Sequence, residues 1–142
     1  MTTRAQMSES AKHDASHTEL MRAALEGQTE WLKVLLEKGA DVNERDNEGR
    51  AALMFAVTNM HRDSANVLLE HGADVNLKAN DGSTALMLAA SLGGTEVVRA
   101  LLSKGADVTA KLTGTGKTAL DLAKEKGHTE IVELLQAAAA KQ

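Results

Sequence analysis

The sequence predicts an all-α fold: a one-dimensional stack of four helix–turn–helix units with projecting, β-hairpin-like loops. Three observations carry this. GADVN spans Gly39–Asn43 and returns at Gly72–Asn76, and GADVT follows at Gly105–Thr109, so each start lies 33 residues after the last. A Leu pair stands ahead of each, at Leu35–Leu36, Leu68–Leu69 and Leu101–Leu102. A second register reads RAALMFA from Arg50, STALMLA from Ser83 and KTALDLA from Lys117. Its last interval is one residue longer, which places an insertion around Leu112–Thr115. A truncated first copy, HTELMRA, begins at His17.

Each unit opens on a short first helix, about Ala52 to Thr58 in the second copy. Thr18, Thr84 and Thr118 stand where an N-cap hydroxyl accepts from an orphan N–H of the first turn, while Ala51 offers none. Gly27, Gly93 and Gly127 end the first helices, where a left-handed residue is wanted, and Met60 takes that place in the second copy. The second helix carries apolar residues at i, i+3 and i+4, as in Leu32, Leu35 and Leu36 or Val98, Leu101 and Leu102. Gly39, Gly72 and Gly105 stop it, and an extended, turn-rich stretch such as Val42–Gly49 leads onward.

Helices of about 8–10 residues are marginal alone in water, so each pair must bury its apolar face against neighbouring pairs. The small Ala23–Ala24 and Ala89–Ala90 permit close approach. Met21, Met54 and Met87 form a column expected to pack between helices, and Trp31, in register with Val97 and Ile131, is expected in the core. Arg22, Lys124 and Gln136 put polar groups at the ends where inner copies are apolar, so the stack is expected to be complete. Ala137–Ala140 is expected to extend the last helix and fray.

Composition bounds the function. The 142 residues fit one domain, and 43% are hydrophobic, so the chain is not a disordered polypeptide. There is one Trp, one Phe and no Tyr, which suits thin layers of short helices. With no Pro, the 11 Gly residues must punctuate the chain. The absence of Cys excludes disulfides, thiolate catalysis and Cys-ligated zinc, and weakly favours a reducing compartment. Met1–Ser16 is polar, without the apolar core of a signal peptide, and no run is long and apolar enough to span a membrane. A net charge of −4 with mixed signs throughout lacks the clustered basic face of a nucleic-acid binder.

A 33-residue unit with T-x-L-x-x-A opening its first helix and L-L-x-x-G-A-D-V-N closing its second resembles the ankyrin-repeat family, over roughly His17 to Ala138. The resemblance implies an ankyrin-repeat solenoid of four units. They are placed at about 17–45, 46–78, 79–111 and 112–140, within a single domain over 17–142 that follows a polar arm over 1–16. Two departures stand out. The family's Pro after the capping Thr is Ala85 and Ala119 here, with Ala52 or Glu19 elsewhere. The family's following His is Met21, Met54, Met87 or Asp121. Both changes remove pre-organisation and a hydrogen bond, which bears on rigidity rather than fold.

Several motifs invite a chemical reading and are better explained by the repeat. Gly114-Thr115-Gly116-Lys117-Thr118 ends like a phosphate-binding loop, but the position four residues before its Gly-Lys-Thr is Lys111 instead of Gly, and no strand precedes it. By register Gly116 matches Gly82 and Gly49, and Thr118 is a helix cap. His13 and His17, at i and i+4, could meet one metal with weak help from Asp14, but suit a solvated N-terminus better. His61, His71 and His128 fall at turns and are expected on the surface. Asp41, Asp74 and Asp107 recur at the structural period, which gives them a turn-capping role. No Ser–His–Asp set, carboxylate pair or ligand cluster has usable spacing, so no catalytic residue, metal or cofactor is expected.

The function expected is protein binding, by an adaptor, scaffold or inhibitor in the cytoplasm, acting as a monomer on another protein and on neither nucleic acid nor membrane. The family resemblance implies that hairpin tips and the inner ends of the first helices touch the partner. In the second copy these positions are Arg45, Asn47, Glu48, Arg50, Thr58 and Asn59. In the third they are Lys78, Asn80, Asp81, Ser83, Ser91 and Leu92. The fourth supplies Lys111, Thr115, Lys117, Glu125 and Lys126, and the first adds only Leu25 and Glu26. The tips mix signs, so steering should be weak, and Leu92 is the best apolar anchor. A structural, self-associating or engineered scaffold is the alternative; nucleotide binding at Gly114–Thr118 is the remotest.

Overall fold

A computed structural model describes residues 18–142, and all eight helices among them arrange in four hairpins. The helices are α1 (Glu19–Glu26), α2 (Thr29–Glu37), α3 (Ala52–Thr58), α4 (Arg62–Glu70), α5 (Ala85–Leu92), α6 (Thr95–Ser103), α7 (Ala119–Lys126) and α8 (Thr129–Lys141). No strand occurs among the described residues. The fold is an all-α helical repeat, as the 33-residue period requires. His13 and His17 lie outside the described residues.

The Thr caps of the sequence are realised at three of the four first helices. The Thr18, Thr84 and Thr118 hydroxyls accept from the backbone N–H of Met21, Met87 and Asp121, at 3.1, 3.3 and 3.3 Å. Asp121 returns the favour by accepting from the Thr118 N–H at 3.0 Å, closing a capping box. Ala51 contributes no side-chain bond to α3. The first helices end on a left-handed residue, and at Met60 the backbone is driven to φ 61° with a full side chain attached.

The contacts gather into two compact units, one ending at Ala73 and the other beginning at Asp74. In the first, α1 packs on α3 and α2 on α4; in the second, α5 packs on α7 and α6 on α8. The first unit buries Met21, Leu32 and Leu68, and the second Leu86, Met87, Leu101, Ile131 and Leu135, each at most 2% exposed. Burying one such Leu contributes about 1.5–3 kcal/mol, which is what holds helices too short to persist alone. Met54 is also buried, so the three methionines at this register pack inside, as expected.

One expectation is corrected. Trp31 is not core: it is half-buried, with the Lys38 ammonium 5.7 Å from its ring centre, whereas Val97 and Ile131 at the same register are buried. Within each unit, the second helix of one repeat packs on that of the next, α2 on α4 and α6 on α8. Ser64, at the equivalent position of α4, is fully buried and its hydroxyl bonds Thr29 on α2 at 3.0 Å. No repeat stands ahead of α2 among the described residues to cover Trp31 in this way. The Ala137–Ala140 run extends the last helix, as expected. It continues α8 to Lys141, and the Gln142 amide that follows donates to the Ala106 carbonyl at 2.9 Å and accepts from the Val108 N–H at 3.3 Å.

Between repeats the chain makes hairpin-like turns rather than strands. Asp46 N–H donates to Arg50 O at 2.8 Å and Ala79 N–H to Ser83 O at 2.9 Å, each across four residues. In the last loop Leu112 N–H donates to Lys117 O at 2.8 Å, across five, so the inserted residue widens this turn where the sequence placed it. Gly116 N–H donates to Leu112 O at 2.9 Å within the same turn, which commits a donor that a phosphate cradle would require. Asp41, Asp74 and Asp107 accept from the N–H two residues on, at 2.9, 3.0 and 2.8 Å, in their expected turn-capping role. Hydrogen bonds from both the side chain and the backbone of Thr109 hold the Asp107 carboxyl below its ordinary pKa.

Candidate partner-binding surface

The residues expected at the partner surface fall on two kinds of site in each unit: the hairpin ahead of a first helix, and the last turn of that helix. In the first unit the hairpin is internally bonded. Asp46 is 8% exposed and accepts from the N–H groups of Glu48 and Arg50 at 2.9 and 2.8 Å. The Arg50 guanidinium adds an ion pair to Asp46 at 2.9 Å and another to Glu48 at 3.4 Å. Burial alone would raise the Asp46 carboxyl, but the hydrogen bonds and charge of Arg50, with the Glu48 N–H, outweigh it and hold the pKa below the ordinary value. The Arg50 guanidinium also lies 4.9 Å from the Phe55 ring centre, and Phe55 is only 6% exposed. Arg45 Nε donates to the Gly49 carbonyl at 3.1 Å.

The helix end of this unit is likewise spoken for. The Thr58 hydroxyl donates to Met54 O at 2.8 Å, and the Asn59 amide crosses to Leu25 O at 2.7 Å. Asn47, Glu48 and Glu26 remain exposed. Thus Arg45, Arg50, Thr58 and Asn59 are brought to one unit's surface, yet each already has a partner within it.

The second unit differs at the matching positions. Ser83 replaces Arg50, so the hairpin has no guanidinium of its own to lay over Leu88, the counterpart of Phe55, and Leu88 is half-buried. Four residues on, Leu92 is 45% exposed where the first unit has Asn59. Leu122, one repeat further, is also half-buried. Ser91 and Ser83 flank this apolar strip; Lys78, Asn80, Asp81, Lys111, Thr115 and Lys126 are exposed. Asp81 accepts from the Ser83 N–H at 2.9 Å and its hydroxyl at 2.6 Å. Lys117, at the hairpin base, forms an ion pair with Glu125 near the end of α7, so a hairpin side chain runs the length of that helix face. The Thr118 backbone N–H, bonded to Asp121, holds that carboxyl below its ordinary pKa.

His61 and His128 are a correction of another kind. Neither is a free surface group; each closes one repeat onto the one before. His61 Nε2 lies 3.1 Å from Leu25 O and His128 Nε2 lies 3.1 Å from Ser91 O. A carbonyl only accepts, so Nε2 carries the hydrogen in both. The rings sit over Gly27 and Gly93, where an added Cβ would approach to 2.5 and 2.8 Å. The signal was present in the sequence: a His follows the helix-ending position in both Met60-His61 and Gly127-His128. His71 is exposed, with Nδ1 2.8 Å from Val67 O.

A recess of about 440 Å³ lies beside Gly27, Thr29, Met60, His61 and Ser64 in the first unit. Its hydroxyls are satisfied by each other, and no buried side-chain polar atom among the described residues lacks a partner. No group of three or more His, Cys, Asp or Glu side chains with metal-holding geometry occurs among the described residues. No helix among them is long and apolar enough to cross a membrane.

Comparison with known proteins agrees with the repeat register. A family model described as "Ankyrin repeats (3 copies)" matches residues 4–79 and again residues 75–142. A search of curated proteins returned no match. Repeats of this kind are generally protein–protein interaction modules and are not typically catalytic. The 33-residue register, the Thr caps, the left-handed helix ends and the matched span together mean that this chain belongs to the ankyrin-repeat family.

Proposed function

We propose that the chain is a monomeric, cytoplasmic adaptor, scaffold or inhibitor that holds one partner protein through its hairpin tips and the inner ends of its first helices. The observation that carries this is Leu92. It is 45% exposed on a helix whose other large side chains are buried or half-buried, and it is framed by polar hairpin residues. An apolar centre with a polar rim is how protein interfaces are built. The scaffold beneath it is ordered by caps and inter-repeat hydrogen bonds, so docking orders few groups and costs little entropy. A surface that mixes lysines with carboxylates lacks the clustered basic face that suits nucleic acid or an anionic membrane.

Affinity purification from the source cell with the intact chain tests this. The Leu92→Asp, Lys117→Glu chain should lose the partner while its helical circular dichroism is unchanged. A partner retained at full yield by this variant would move the binding site elsewhere.

A further inference from the structure

The two units offer unlike surfaces at equivalent positions, and the difference identifies the chemistry of the partner. In the first unit Arg50 covers Phe55 and is neutralised by Asp46 and Glu48, and Asn59 is spent on Leu25 O. In the second, Leu88 and Leu92 stand at i and i+4 on one face of α5, about 6 Å apart along the axis at about 1.5 Å per residue. Leu122, on the adjoining α7, stands at the register of Leu88 and is likewise half-buried.

The charges around this strip are unequal in their freedom. Its carboxylates have hydrogen-bonding or ionic partners close by: Asp81 accepts from Ser83 and Asp121 from Thr118, while Glu125 is ion-paired with Lys117. Lys111, in the hairpin, and Lys126, at the far end of α7, are exposed and form no ion pair with any described residue. The Lys117–Glu125 pair ties the base of this hairpin to the last turn of α7, where Lys126 stands. A ligand on this face therefore meets an apolar centre together with two exposed lysines that no described carboxylate pairs.

We infer that this face of the second unit takes an acidic protein segment: a Leu, Ile or Phe side chain seats against Leu88 and Leu92, and flanking Asp or Glu side chains pair with Lys111 and Lys126. This rests on the protein-binding reading above and gives that partner its chemistry. Lysines exposed at the rim set the rate of encounter and its salt dependence, whereas the leucines set how long the complex lasts.

A random peptide library displayed on phage and selected against the full chain tests it. Enriched peptides should combine acidic residues with Leu, Ile or Phe. Synthesised, they should lose about tenfold or more in affinity on Leu92→Asp, as expected of a central apolar anchor. They should lose about threefold or more on Lys111→Glu with Lys126→Glu, mostly through a slower on-rate, and weaken as salt is raised. All three positions are exposed, and circular dichroism checks that the variants fold. Enriched peptides that are basic or uncharged, yet still depend on Leu92, would overturn the acidic partner and leave the protein-binding surface standing. Enriched peptides indifferent to Leu92, or no enrichment at all, would overturn both.

Discussion

His61 Nε2 lies 3.1 Å from the Leu25 carbonyl oxygen, so a ring at the start of one repeat's second helix closes onto the last turn of the preceding repeat's first helix. The ring can lie there only because Gly27, beneath it, has no Cβ; one added would stand 2.5 Å from Nδ1. Gly27 also has φ 70°, which costs any L-residue about 1 kcal/mol or more. Gly27→Ala should therefore destabilise by about 2–3 kcal/mol, part backbone strain and part displaced ring. In a His61→Ala background the same substitution should cost only the backbone part, about 1 kcal/mol. Chemical denaturation of the four chains of this cycle measures the coupling, and additive costs would show that the ring does not depend on the glycine.

Met60 adopts φ 61° with its side chain 51% exposed, at the position other copies fill with Gly27, Gly93 and Gly127. The strain of a left-handed methionine is about 1 kcal/mol, and its exposed side chain repays little by burial. Glycine removes the strain but gains freedom in the unfolded chain, which offsets part of the benefit. Met60→Gly should still raise the melting temperature, by a net stabilisation of about 0.5 kcal/mol. Met60→Asn, which tolerates this conformation without glycine's entropy, should do at least as well. A lowered melting temperature for both would mean that Met60 makes a packing contribution larger than its strain.

What the sequence made legible was whatever repeats. The Thr caps, left-handed helix ends, Asp turn bonds and widened last loop all follow from local chemistry at a fixed period, and each stands where the period places it. What it concealed depends on neighbours. Trp31 shares a register with Val97 and Ile131, but only a preceding repeat would have buried it. The two histidines reach carbonyls 36 and 37 residues away, beyond any local pattern. At the candidate surface, register located the positions but not their state. Arg50 and Leu92 are equally plausible tip residues in the sequence, and only the fold puts Arg50 over Phe55 and leaves Leu92 bare.

Asp46 ties acid stability to the first hairpin. Its carboxyl is held below the ordinary aspartate pKa of 3.8, because the bonds from Arg50 and Glu48 outweigh the opposing effect of burial. A group whose folded pKa is depressed stabilises the fold fully above its unfolded pKa, and that contribution is lost as pH falls through the folded value. Asp46→Asn should destabilise by about 1–2 kcal/mol at neutral pH, through weakened charge-assisted bonds. The gap from the parent chain should stay constant down to about pH 5 and close below the ordinary aspartate pKa. Urea midpoints for both chains across this range decide it; a gap that persists undiminished into acid would mean the site acts through shape rather than charge.

Gln142 fastens the end of α8 to the loop that follows α6. Its amide uses both of its chemistries, donating to Ala106 O at 2.9 Å and accepting from Val108 N–H at 3.3 Å. The Ala137–Ala140 run, exposed except at the half-buried Ala138, gains little from burial, so its helical state draws on good intrinsic propensity and on this distal clasp. Gln142→Ala removes two hydrogen bonds and should cost about 1 kcal/mol, less than two isolated bonds because water replaces both partners. The sharper readout is local. Amide exchange at Val108 should accelerate, while Thr109, whose N–H is held by Asp107 at 2.8 Å, keeps its protection. Unchanged exchange at Val108 would show that the clasp opens freely and that the alanine run is helical on its own account.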